Sequence, residues 1–206
     1  MSTKIYAGAA AVAVIAGLGA SYYLGSFDTS DPFAQCRTAT VAGGAAAIGG
    51  PFTLVSETGE TVTDQEVITR PSLIYFGYTF CPDVCPLDTV RNADAIDLMT
   101  EAGYDVQPVF ISIDPERDTP EVVDDFTANL HPDMLGLTGS PEQVKAASEA
   151  YKTYYRKQDS GDEFYFVDHS TFSYLVLPEI GFVEFFRRDI PAEELATRAQ
   201  CFLDAM

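Results

Sequence analysis

The sequence predicts an α/β domain that follows a single N-terminal membrane helix. Short apolar runs such as residues 72–78 alternate with segments whose apolar residues recur at helical spacing, and this alternation predicts the α/β class. Residues 5–24 carry no charged side chain, and a run of about twenty such residues is long enough to cross a bilayer. The chain has 206 residues, of which 47% are hydrophobic, so one domain with an appendage is expected.

The N-terminal run is predicted to be an uncleaved anchor, residues 1–25. Tyr22 and Tyr23 stand where interfacial aromatic residues occur, and the run is longer than the apolar region of a typical signal peptide. A cleaved signal peptide is the alternative, because the small residues near Ala20 have a weak Ala-x-Ala character. Lys4 is the only charged side chain before the run, so the positive-inside rule predicts that the rest of the chain is exported.

A Gly/Ala-rich tether, residues 26–50, is predicted to connect the anchor to the domain, residues 51–206. The domain opens with PFTLV, SETGE and TVT, a pattern that predicts an N-terminal β-hairpin extension. Residues 72–78 and 106–114 are predicted to be buried strands, and the helical spacing between them predicts a helix over 86–102 that stops at Gly103.

The second half of the domain begins with two predicted helices. Thr119 followed by Pro120 opens one of them, and the capping-box sequence from Ser140 to Gln143 opens the other. Strands are predicted in 164–178 and in 181–187 around the turn PEIG, and a last helix is predicted over 191–203. This order of elements is thioredoxin-like, with β-rich material added in front.

Net charge limits the partners of the exported part. Twelve basic and 31 acidic residues give a formal charge of −19. This balance argues against binding to nucleic acid or to an anionic membrane surface, and a basic partner would be attracted.

The four cysteines fall into two pairs. Cys36 follows the predicted anchor and Cys201 lies in the last predicted helix, so they could join the two ends of the domain as a structural disulfide in an oxidising compartment. Cys81 and Cys85 lie in GYTFCPDVCP, between the first buried strand and the next helix. Pro86 is favoured at the first helical position, which predicts that Cys85 is the N-cap residue. Both sulfurs then face the positive end of the helix dipole, which favours thiolates that bind metals or attack disulfides.

The chain has only two histidines that could supply a third ligand. His131 stands at a helix end, where a solvated or capping imidazole is expected, whereas His169 opens a strand that passes close to the cysteines in this fold. Two thiolates and one imidazole suit Cu(I), or Cu(II) with an added oxygen ligand. Zinc would need a fourth ligand, which Asp83 or Asp168 could supply, and Asp168 could instead orient the imidazole. A structural disulfide between Cys81 and Cys85 is a further alternative.

Four blocks of sequence in order carry a family resemblance: YFGYTFCPDVCP, ISIDPERDTPE, LTGSPEQV and VDHSTFSYLVLPEIGF. Together they resemble the Sco/SenC family of membrane-anchored copper proteins used in cytochrome c oxidase assembly. The resemblance implies a thioredoxin-like domain in which Cys81, Cys85 and His169 bind one copper ion for delivery to the binuclear copper centre of oxidase subunit II. It implies supporting roles for Asp83 and Asp168, whereas Cys36 and Cys201 lie outside the family's motif.

The resemblance also implies a location and partners. We expect a single-pass protein of the bacterial inner membrane with its domain in the periplasm, or alternatively of the mitochondrial inner membrane facing the intermembrane space. Its expected partners are oxidase subunit II and other periplasmic copper or thiol-redox proteins, and no nucleic acid. A thiol-disulfide oxidoreductase that reduces the subunit II cysteines is the alternative function. A peroxidase is less favoured, because it would not need His169.

Overall fold

The structure, a computed structural model, describes residues 31–38, 41, 43–158 and 164–206. The chain divides into two compact units, and the second runs from Cys36 to Met206. Of the first unit, residues 31–35 form a turn in which the N–H of Ala34 donates to the carbonyl of Asp31. The predicted anchor lies outside the described residues. Within the described ranges, no helix combines the length and the apolar character that crossing a membrane requires.

The second unit is built on strands β1 (Thr53–Ser56), β2 (Thr61–Thr63), β3 (Ser72–Gly77), β4 (Gln107–Ser112), β5 (Leu135–Thr138), β6 (Tyr155–Lys157), β7 (Val167–His169), β8 (Ser173–Leu177) and β9 (Gly181–Phe186). Among the described residues, seven of these strands form one sheet in the order β2-β1-β5-β4-β3-β8-β9. Strands β6 and β7 form a separate antiparallel ribbon.

The helices are α1 (Asp64–Val67), α2 (Val84–Glu101), α3 (Pro120–Ala128), α4 (Pro141–Ala150) and α5 (Ala192–Asp204). Helices α2 and α3 connect β3, β4 and β5, which are therefore parallel, as crossover connections require. Every residue of the central strand β3 is buried, which explains its continuous apolar sequence. This architecture confirms the predicted α/β class and its thioredoxin-like order.

Most predicted elements are present, and the differences concern short elements. The hairpin β1–β2 is confirmed, and it extends the main sheet because β1 pairs antiparallel with β5. The long apolar stretch 164–178 forms two strands, β7 and β8, separated by residues 170–172. Elements α1, β5 and β6 were not predicted, since three or four residues are too few to show a period.

Part of the segment predicted to be a tether packs on the domain. Cys36 and Cys201 are joined by a disulfide, with their Cα atoms 5.6 Å apart. Arg37 Nη1 donates to the carbonyl of Val183 at 2.5 Å, and the N–H of Thr38 donates to Glu184 Oε2 at 3.1 Å. Residues 36–38 are therefore fastened both to α5 and to strand β9.

Candidate metal centre

The two unpaired cysteines, Cys81 and Cys85, lie at the junction between β3 and α2. Helix α2 begins at Val84, so Asp83 is the N-cap residue and Cys85 is the second residue of the helix. The prediction that Cys85 is the N-cap was wrong because Pro86 is tolerated throughout the first turn, where the amide groups have no partner within the helix. The N–H of Cys85 donates to Cys81 Sγ at 3.4 Å, so this sulfur takes the place of a capping oxygen.

The fold brings His169 of β7 to these cysteines. Its Nε2 lies 3.2 Å from Cys85 Sγ, and one ligand atom from each of the three residues lies within 4.8 Å of the others. The Nδ1 atom lies 2.8 Å from the carbonyl oxygen of Ser170. A carbonyl oxygen can only accept, so Nδ1 carries the proton and the lone pair of Nε2 points towards Cys85. This is the tautomer that a metal ligand requires.

The two sulfurs have opposite pKa shifts. The neighbouring Cys85 thiol lowers the pKa of the Cys81 thiol against the effect of burial, and the N–H groups of Cys85 and Asp83 lower it further. The neighbouring Cys81 thiol and burial raise the pKa of the Cys85 thiol. Cys81 is therefore the sulfur that loses its proton more readily.

Aromatic residues and one glycine form the walls of the site. The rings of Tyr75 and Tyr78 stand at 82° and 83° to the His169 imidazole, with centroids 6.3 and 5.9 Å away. A Cβ atom on Gly77 would lie 2.8 Å from Tyr75 Cε1 and 3.2 Å from Cys85 Sγ. A larger residue would have to displace these neighbours, because the ring and the sulfur occupy the space next to the position of a Cβ atom. This role was not predicted, although Gly77 is the one small residue in a run of bulky ones.

A buried carboxylate holds the turn that leads to Cys81. Asp118 accepts from the N–H of Thr79 at 3.0 Å, from the Thr79 hydroxyl at 2.6 Å and from the Ser112 hydroxyl at 2.6 Å. Burial raises the pKa of Asp118, while these hydrogen bonds act in the opposite direction. Asp118 lies in the block ISIDPERDTPE, but no role was predicted for it.

The two acidic residues assigned supporting roles lie apart from the three-residue cluster. Asp83 is exposed and makes no capping hydrogen bond with its side chain. Asp168 bonds Gln158 Nε2 at 2.6 Å and Arg156 Nη2 at 3.3 Å. Neither of these contacts involves the imidazole of His169, whose Nδ1 is bonded to Ser170.

The second histidine, His131, is not part of the three-residue cluster. His131 Nδ1 accepts from the N–H of Asp133 at 3.1 Å, and its Nε2 lies 3.3 Å from Asp97 Oδ1. A solvated or capping imidazole was expected here, but the ring is buried and bonds a turn residue and Asp97 of α2, not the end of the preceding helix.

Comparison with known proteins identifies the family. A family model described as SCO1/SenC matches residues 40–204, well over half of the chain. The chain belongs to the SCO1/SenC family. The resemblance found in the four sequence blocks is therefore confirmed.

Relatives of this SCO1/SenC protein occur in bacteria and in eukaryotes. It is 53% identical to Protein SenC of Rhodobacter capsulatus over 204 residues, which cover 99% of this chain and 91% of the relative. It is 45% identical to the mitochondrial Protein SCO1 homolog 1 of Arabidopsis thaliana over 74% of this chain, but spans only 46% of that longer protein.

Solved structures of SCO1/SenC relatives share the fold. The crystal structure of Arabidopsis thaliana ScoI with copper bound matches with a TM-score of 0.73 and 42% identity, over 77% of this chain and 99% of that one. The structure of Bradyrhizobium japonicum ScoI with copper bound matches with a TM-score of 0.68 and 36% identity, over 75% and 98% of the two chains.

Proposed function

We propose that this protein binds one copper ion through Cys81, Cys85 and His169 and delivers it to the binuclear copper centre of cytochrome c oxidase subunit II. The observation that carries the proposal is the convergence of two sulfurs and an imidazole lone pair within 4.8 Å. Two relatives of known structure are described with copper bound, and the Sco family is described as one of cytochrome c oxidase assembly proteins. Copper is here the cargo that the domain carries.

The donor set favours copper over zinc. Soft sulfur ligands with one imidazole suit Cu(I) at low coordination number, and an added oxygen ligand would accommodate Cu(II). Structural zinc prefers four protein ligands, and among the described residues no carboxylate joins the three-residue cluster. The pKa of Cys81 is lowered and that of Cys85 is raised, so metal binding would displace a proton mainly from Cys85.

The proposed setting is a bacterial inner membrane with the domain in the periplasm, or alternatively the mitochondrial inner membrane. Residues 1–25 would be the anchor, 26–50 the tether and 51–206 the copper-binding domain. The Cys36–Cys201 disulfide supports an oxidising compartment. Besides subunit II, the proposed partners are other periplasmic copper or thiol-redox proteins.

The free, adjacent thiols of Cys81 and Cys85 favour a second candidate, thiol-disulfide oxidoreductase activity. The Cys81 thiolate would attack a disulfide of subunit II and release one partner thiol. The Cys85 thiolate would then attack the mixed disulfide, which leaves both partner cysteines reduced and the Cys81–Cys85 pair oxidised. This reaction does not require His169.

The test is a Cu(I) titration of the reduced full-length chain against a competing chelator. We expect one tightly bound copper in the wild type and at least tenfold weaker binding in Cys85→Ser and His169→Ala. His131→Ala, which removes the other histidine of the chain, is the matched control and should bind copper like the wild type. Wild-type affinity in His169→Ala would refute the three-ligand site, whereas reversible thiol oxidation in that variant would support the second candidate.

A further inference from the structure

We propose that Tyr75 and Asp88 are positioning residues that fix the positions of the Cys85 and His169 side chains relative to one another. A series of neighbouring side chains runs from Arg188 at the surface through the buried Asp88 and Tyr75 to both ligands. The inference rests on the proposed function, since it concerns the same three-ligand site.

The central link is a buried hydrogen bond between a phenol and a carboxylate. The Tyr75 hydroxyl donates to Asp88 Oδ2 at 3.0 Å, and the two residues are only 1% and 3% exposed. A carboxylate at this depth is costly unless it is bonded, so the bond holds both side chains in place. Asp88 follows Cys85 by three residues on α2, which puts both on the same face of the helix, opposite Tyr75.

Tyr75 lies beside two of the three ligands. Its hydroxyl is bonded to Asp88, and its Cε1 atom and the Cys85 sulfur lie on either side of the space next to Gly77 that a Cβ atom would fill. Its ring stands nearly perpendicular to the His169 imidazole, and its edge packs on Gly77 next to the same sulfur. Cys85 belongs to α2 and His169 to a short ribbon outside the main sheet, so a side chain on the rigid central strand β3 sets the distance between them.

The outer end of the series reaches the loop between β9 and α5. Arg188 Nε lies 3.4 Å from Asp88 Oδ1, and the Arg188 side chain is 43% exposed. Arg91 of α2 fixes this loop, because its Nη1 donates to the carbonyl of Arg187 at 2.7 Å. Asp88 is thus held from the loop side as well as by Tyr75.

The test compares Tyr75→Phe, Asp88→Ala and Asp88→Asn in the full-length chain. Tyr104→Phe is the matched control, because the Tyr104 hydroxyl donates to Asp204 Oδ1 at 2.6 Å in an exposed pair between the end of α2 and α5. The readouts are Cu(I) affinity, the visible absorption of the Cu(II) form, the thermal midpoint and, on metal-free chain, the dithiol–disulfide equilibrium of Cys81 and Cys85.

We expect Tyr75→Phe and Asp88→Ala to weaken Cu(I) binding about 10- to 100-fold, as the loss of a group that orients a ligand does. Both should also alter the Cu(II) absorption and change the dithiol–disulfide equilibrium constant about tenfold, or about 30 mV. Asp88→Asn should keep most of the wild-type Cu(I) affinity that Asp88→Ala loses, because the amide oxygen still accepts a hydrogen bond from Tyr75. The double variant Tyr75→Phe/Asp88→Ala should bind Cu(I) no more weakly than the more impaired of the two single variants, because both changes act through one series of contacts.

The proposal is overturned if Tyr75→Phe lowers the thermal midpoint but keeps wild-type copper affinity, absorption and dithiol equilibrium, because its role would then be structural only. It is also overturned if Tyr104→Phe has the same effects as Tyr75→Phe. A wild type that fails to hold copper would refute the proposed function instead, and the metal-free dithiol equilibrium would still decide whether Tyr75 positions Cys85.

Discussion

Replacing Gly77 with alanine adds a single methyl group directly beneath the candidate site. That methyl carbon would lie 2.8 Å from Tyr75 Cε1, 3.0 Å from Phe110 Cε2 and 3.2 Å from Cys85 Sγ. Carbon atoms that are not bonded prefer separations of about 3.5 to 4.0 Å, so every one of these neighbours has to move. All three neighbours are buried in the core, so none of them can move without displacing other packed side chains.

The expected loss of stability follows from the lack of space into which these neighbours could move. An extra carbon in a packed core typically destabilises a protein by about 1 to 3 kcal/mol. For a domain of this size that corresponds to a fall of about 2 to 12 °C in the thermal midpoint. Metal ligands have to be held within about 0.5 Å of their working geometry, so displacement of Cys85 Sγ should also weaken Cu(I) binding about tenfold.

Thermal unfolding and Cu(I) competition on the same samples separate the two effects. The control is Gly136→Ala in β5, whose methyl group would collide with Val123 and with Glu57, away from the cysteines. This control should lose stability but keep its copper affinity. If Gly77→Ala bound copper as tightly as the wild type, the close packing of Cys85 on β3 would not matter for the site.

Three other perturbations test separate parts of the structure. Cys36→Ser removes a disulfide between residues 165 apart in sequence and should lower the free energy of unfolding by about 2 to 5 kcal/mol relative to the wild type under oxidising conditions only; equal thermal midpoints of variant and wild type without reductant would contradict a structural role for this disulfide. Because the pKa of Cys81 is lowered, its ultraviolet thiolate absorbance in reduced, metal-free chain should persist well below the ordinary thiol pKa of about 8.5, and Cys85→Ser should raise the titration midpoint. An ordinary midpoint in both chains would show that the neighbouring Cys85 thiol does not lower the pKa of Cys81. Asp118→Ala leaves three donors of Thr79 and Ser112 unpaired and should cost about 3 kcal/mol, whereas a neutral effect would show that water replaces the carboxylate.

Long elements with strong patterns were predictable from the sequence. The buried strand β3 and the helices that begin after Thr119 and Ser140 were located because apolar runs and capping residues act over a few neighbouring positions. Strands β5 and β6 were not, since a segment of three or four residues becomes a strand only when a partner strand supplies its hydrogen bonds.

The candidate ligands were predicted as a group, and the fold brings one donor atom of each within 4.8 Å of the others. Cys81 and Cys85 are close in sequence, and their spacing before a proline indicates a strand-to-helix turn. His169 follows Cys85 by 84 residues, and only the ribbon β6–β7 explains why its Nε2 lies beside that sulfur. The orienting contact of the imidazole could not be assigned from residue type, because the acceptor is the backbone carbonyl of Ser170, which any residue carries.

The sequence by itself determined the α/β class, the family and the three side chains that could bind a metal, because periodicity, caps and motifs depend on the order of residues. The tertiary structure alone decided which thiol has the lowered pKa, that the Cys81 sulfur caps α2, and that Tyr75, Gly77 and Asp118 surround the site. These properties depend on burial and on contacts between distant segments. They arise only when β3, β7 and α2 are packed together.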